Sequence, residues 1–152
     1  MDTPPFKFRL ERVRDMRAQA EQQAREQLAN ELSHRMRGEA LLRQAAELAA
    51  AARETHRSTA SRGASGSELL AAQAWIERAH RHQQAAALDL DRRDTEVAAR
   101  RQALVHAARE RQSIAKLAER RRSEHDRAWA HRSQGELDEI ALAMHRRGSA
   151  VA

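Results

Sequence analysis

The sequence predicts an all-α protein, a long two-helix antiparallel coiled-coil hairpin, on three observations. Ala, Arg, Glu, Gln and Leu, the strongest helix formers, dominate the chain, and 33 of its 152 residues are Ala. No proline follows Pro5. The interior holds only one cluster of Ser, Thr and Gly, "TASRGASGSELL". Leu, Ile, Val and Phe together supply 23 of 152 residues, a share low enough to raise disorder. Disorder, however, favours Pro, Gly and Ser, which are scarce here, so composition decides for helices.

The first element is a helix over about residues 7–61. Pro4 and Pro5 read as the stop that sets its start, because proline is tolerated before or in a first turn and not beyond it. Gly38 costs about 1 kcal/mol against Ala without breaking the helix. The apolar pattern begins with Leu10, Val13, Ala20 and Ala24 and drifts to Leu28, Leu32, Leu42, Ala46 and Ala49, the signature of a heptad interruption. Residues 62–67 form the turn, with Ser65 or Ser67 as N-cap of the next helix.

The second helix covers about residues 68–147. A heptad frame with a positions from Ile76 to His125 and d positions from Ala79 to Ala128 fills ten of sixteen core places with apolar residues, a seam interrupted by Arg93, Arg100, Arg111 and Arg121. A short connection makes antiparallel neighbours the simplest arrangement. Phe6 and Phe8 then fall opposite residues near 122, and the second helix overhangs the first after about residue 123. At about 1.5 Å per residue the overhang projects on the order of 37 Å. It carries Leu137, Ile140, Ala141 and Met144 at helical spacing, a face that wants a partner.

The net charge of +6 invites a nucleic-acid reading, but its distribution opposes one. Residues 1–60 hold 11 basic and 9 acidic groups, residues 61–118 hold 10 and 7, and residues 119–152 hold 7 and 6. A nucleic-acid binder concentrates its cations, and only "ERRR" at 119–122 is locally rich. Acids instead precede Arg by one turn, as in Glu21 and Arg25, Asp89 and Arg93, or Glu96 and Arg100, each pair worth about 0.2–0.5 kcal/mol on a solvated helix.

Cysteine is absent, which removes disulfide and thiolate chemistry. No apolar run reaches a membrane span, and no secretory signal opens the sequence, so a cytoplasmic protein is expected. Phosphate loops and nucleophile elbows are missing. Glu31 with His34 and Glu77 with His80 repeat the Glu-x-x-His spacing of di-iron bundles. In the hairpin, residue 31 faces residue 98, roughly 31 Å from Glu77 along the axis, so the motifs do not meet. Neither catalytic residues nor a cofactor or metal are expected. Trp75 lies beside the seam residue Ile76, where packing and partner contact are both open to it.

The opening "FKFRLERVRDMRAQAEQQAREQLA" and the closing "KLAERRRSEHDRAWAHRSQGELDEIALAMHRR" resemble the two ends of the FliJ family of flagellar type III export. The shared features are an aromatic and basic entry, Leu-Glu-x-Val, and a Lys-Leu pair with an Arg-rich run before Leu-Asp-Glu-Ile-Ala. Arg14 departs from the family, which often has an aliphatic residue there. The resemblance implies a non-enzymatic antiparallel coiled coil similar to the gamma-subunit stalk of rotary ATP synthases. It also implies a cytoplasmic protein held at the inner face of the cell membrane through its partners. Those partners are the hexameric export ATPase, whose assembly and activity it promotes, the cytoplasmic domain of the export gate, and export chaperones. By position, Phe6, Phe8, Leu10, Val13, Leu137 and Ile140 fall at the ATPase-binding end, and Trp75, Ala79 and His82 at the gate-binding patch. The related stalk protein of virulence injectisomes and a basic coiled-coil nucleic-acid binder are the alternatives.

Overall fold

The computed structural model describes residues 4–149, with side chains to residue 146. Two helices account for nearly all of it, α1 over Glu11–Ser61 and α2 over Gly66–Ser149, and no strand occurs among the described residues. The chain divides into two compact units, one of Met1–Glu21 with Ala107–Ala152, the other of Gln22–His106. In each unit the helices run antiparallel, since contacts climb α2 as they descend α1: Arg35 with Asp94 and Gln27 with Arg100 in one, Arg17 with Glu110 and Phe6 with His125 in the other.

The Gln22–His106 unit is held by small residues. Ala49, Ala52 and Ala79 are buried together with Ile76 packed on them, and Ala52 is only 1% exposed. Among the described residues no large side chain is fully buried. Alanine seams let helix axes approach to about 8 Å, the short end of the usual range, so stability rests on close backbone approach rather than on large apolar groups.

The expected heptad interruption in the first helix is absent. Buried or half-buried positions recur every three or four residues from Ala24 to Thr59 without a break. The apolar pattern drifts because Glu31, Arg35 and Gly38 occupy seam positions between Leu28 and Leu42. Gly38 is buried, and a Cβ there would stand 3.1 Å from Arg93 Cδ and 3.5 Å from Leu90 Cδ1. The missing side chain is the hole that admits the seam arginine, which also donates to Asp89 at 2.8 Å. Arg35 bridges Asp94 across the seam and Glu39 along its own helix. Asp94, through its hydrogen bond and charge, and then Glu39 raise the Arg35 guanidinium above its ordinary value.

The turn is shorter than the expected 62–67. Gly63 takes the left-handed conformation with φ 73° and closes α1, its N–H donating to Ala60 O at 3.3 Å. Ser65 then caps α2, leaving Gly66 and Ser67 inside the helix. The Ser65 hydroxyl accepts from the Glu68 N–H at 3.4 Å, while the Glu68 carboxylate accepts from the Ser65 N–H at 2.7 Å and from its hydroxyl at 2.8 Å. This is a capping box. The Ser65 N–H first, its hydroxyl second and Arg62 hold the Glu68 carboxyl below its ordinary value. The stabilisation from Glu68 is therefore complete above the free carboxyl pKa of about 4.3 and is lost as pH falls through the lowered folded value. Ser65→Ala should cost about 1 kcal/mol and reduce this acid-side dependence without abolishing it, because the Ser65 N–H still donates to Glu68; equal melting of wild type and variant from pH 7 to pH 3 contradicts it.

The Met1–Glu21 and Ala107–Ala152 unit corrects the expected start of the first helix. Helical structure begins at Glu11, not near residue 7, so the prolines lie in a non-helical arm and do not set the helix start. The arm brings Phe6 and Phe8 together against α2; two residues apart on a helix they would point to different sides. Farther along α1, Glu21 is 4% exposed and pairs with Arg111, which explains an arginine at a core position of the seam.

Candidate functional site: two exposed surfaces

The arm builds the first surface. Phe6 stacks with Phe8 at 6.4 Å between ring centroids and lies 5.6 Å from the His125 ring. His125 Nδ1 sits 3.2 Å from Asp126 Oδ1. A groove of about 380 Å³ opens on one flank of the Phe pair, lined by Ala115, Ala118 and Arg122 of α2. A second, of about 690 Å³, opens on the other, bounded by Leu10, Leu117, Arg121 and His125. Leu10 and Val13 are exposed at the start of α1.

Past His125 only Trp129 and Ser133 of α2 stay half-buried, and residues 134–146 are exposed throughout. Leu137 is 60% and Ile140 48% exposed, with Leu142 and Met144 also open. Leu137, Ile140, Ala141 and Met144 share one side of the helix. The same stripe, followed back by steps of three and four, passes through Ser133 and the half-buried Trp129 to Arg122 beside the Phe pair. Trp129 and Arg122 were not among the expected contact residues; their periodicity with Ile140 was the available signal.

The second surface lies in the Gln22–His106 unit. Trp75 is 43% exposed, with the Arg78 guanidinium 5.8 Å from its ring centroid, a cation–π contact one turn on. His82 is exposed and, seven residues from Trp75, shares its side of the helix. Ala79 is only 7% exposed and packs against Ala49 and Ala52, so it supports this surface from beneath. The exposed face consists of Trp75, Arg78 and His82. Among the described residues, no group of three or more His, Cys, Asp or Glu side chains is placed to hold a metal.

Fold and surfaces define a class of protein: an α-helical coiled-coil hairpin whose second helix carries an apolar stripe past its companion, with a separate aromatic patch on its other unit. The family model described as flagellar FliJ protein matches residues 6–150, nearly the whole chain, and the chain belongs to that family. It is a component of flagellar protein export. No curated protein and no solved structure matches it. No helix among the described residues is long and apolar enough to cross a membrane.

Proposed function

We propose that this chain works, without chemistry of its own, as the central-stalk protein of the flagellar type III export apparatus. It acts as a single hairpin whose terminal unit docks in the ring of the hexameric export ATPase and promotes ring assembly and activity. The observation that carries this reading is the uncovered stripe of Leu137, Ile140 and Met144 continuing from the arm where Phe6 and Phe8 pack. Phe6, Phe8, Leu10 and Val13 complete the docking end. Trp75 and His82, braced by Ala79, bind the cytoplasmic domain of the export gate, and the chain escorts export chaperones. It resides in the cytoplasm and associates with the inner face of the membrane through these partners.

Ile140→Glu places a charge on the stripe at a position exposed in the free protein, so folding is spared and docking is not. The variant should lose stimulation of the export ATPase at concentrations where wild type saturates; undiminished stimulation counts against the docking reading. Trp75→Ala should weaken gate-domain binding about tenfold or more, as loss of an aromatic anchor does, and leave ATPase stimulation unchanged. Equal loss of both would make Trp75 a packing residue.

A further inference from the structure

Charge that is dispersed along the sequence is gathered by the fold within the terminal unit. The arm and first turn of α1, residues 6–14, carry four cations and one acid, and the stretch of α2 beside them, residues 116–127, carries five and three. Far apart in the chain, the two segments meet through Phe6 and His125. Together they hold +5 of the net charge of +6, whereas residues 128–147 beyond them carry three cations and three acids. All nine cations of this basic collar are exposed. Among the described residues, salt bridges engage only Arg14 of them, with Glu11, and Arg121, with Glu124. Apolar groups lie between the cations. The groove of about 690 Å³ is walled by Phe6, Phe8, Leu10 and Leu117, with Lys7 and Arg9 beside them, and its one acid, Glu124, is held by Arg121 at 3.0 Å.

We propose that this collar receives an acidic, aliphatic segment of the export ATPase and sets the rate at which the stalk docks, while the Leu137, Ile140 and Met144 stripe sets the rate at which it leaves. The proposal rests on the ATPase-docking reading and names the chemistry of the surface met there. An aliphatic side chain flanked by Asp or Glu fits the groove: its apolar part covers Leu10 and Leu117, and its carboxylates meet Lys7 and Arg9, neither of which has an acid of its own. A lipid surface fits less well, because the Phe rings are half-buried among the chain's own side chains and not free to enter a bilayer. A nucleic-acid backbone also fits less well, since Glu11, Glu119, Glu124 and Asp126 stand among the cations and oppose a continuous row of phosphates. The division of labour follows from position and chemistry. Ile140 lies about 27 Å along the helix from Arg122, outside the roughly 8–10 Å over which exposed charges act in physiological salt. Exposed charges at a rim act on encounter and its salt dependence, whereas apolar anchors act on dissociation.

Stopped-flow mixing of the full chain with the purified export ATPase, from about 50 to about 500 mM NaCl, separates the two rates. The association rate constant should fall about tenfold or more across that range. Lys7→Glu with Arg9→Glu should lower it about tenfold at the low-salt end and change dissociation less. Lys7→Ala with Arg9→Ala should have about half that effect on a logarithmic scale, a grading that separates charge from loss of the arm. Arg43→Glu with Arg53→Glu removes the same charge from exposed positions outside the collar and should leave association within about twofold. Ile140→Ala should speed dissociation and leave association unchanged. A wild type that does not bind overturns the docking reading and this inference with it. Binding whose association ignores salt and both arm pairs, or slows equally with the Arg43 and Arg53 reversal, overturns this inference and leaves docking standing. So does an unchanged ATPase association rate in a Lys7 and Arg9 reversal that no longer binds phosphatidylglycerol vesicles or duplex DNA, which would assign the collar to that surface.

Discussion

Removing residues 127–152 should reduce stimulation of the export ATPase to background while leaving the rest of the chain helical. The deletion takes Leu137, Ile140 and Met144, about half to two-thirds exposed in the free protein, and keeps the Phe6–His125 contact that closes the terminal unit. Fully burying an aliphatic side chain of this size contributes roughly 1.5–3 kcal/mol. With half of that still available on docking, three side chains supply about 3–4 kcal/mol, a factor of several hundred in affinity. Helicity per residue, read by circular dichroism, should be nearly unchanged, because α1 and its antiparallel companion remain. Full stimulation by the shortened chain would place ATPase binding elsewhere.

Ala52→Asp should unfold the Gln22–His106 unit at temperatures the wild type survives. Ala52 packs with Ala49 and Ala79 in the buried cluster between the helices, and among the described residues no large side chain is fully buried to compensate. A carboxylate there either carries an unpaired charge into the seam or forces the helices apart, and both cost at least about 3 kcal/mol. A urea titration with wild-type midpoint would mean that the alanine seam is not what holds the unit together. Ala52→Ser, nearly isosteric, should melt close to wild type and separates burial of charge from loss of a methyl group.

Much of this was legible in the sequence. Helix-forming composition, the lone Ser and Gly cluster and the seam of the second helix point to the hairpin. Every a and d position from Ile76 to Ala118 is in fact buried or half-buried. What the sequence hid follows from two habits of this chain. It fills seam positions with charged residues and glycine where the partner helix supplies the complement, as Glu21 does for Arg111 and Gly38 for Arg93. An apolar count therefore reads Glu31, Arg35 and Gly38 as a break in the first helix when they continue it. The arm was hidden for a different reason. Proline rules allow a helix to start at Pro5, but only tertiary contact explains why it waits until Glu11: Phe6 and Phe8 meet each other and α2 from a non-helical arm. Of the expected contact residues, Leu137, Ile140 and Trp75 are exposed, and Ala79 alone is buried, as its d position in the seam frame implies; its place in the patch came only from the family resemblance.

The most direct test of the account places a photo-crosslinking amino acid at Ile140 in one preparation and at Trp75 in another, each mixed with the purified export ATPase and gate domain. Position 140 should give an ATPase adduct and position 75 a gate adduct. An ATPase adduct from position 75 with none from position 140 contradicts it.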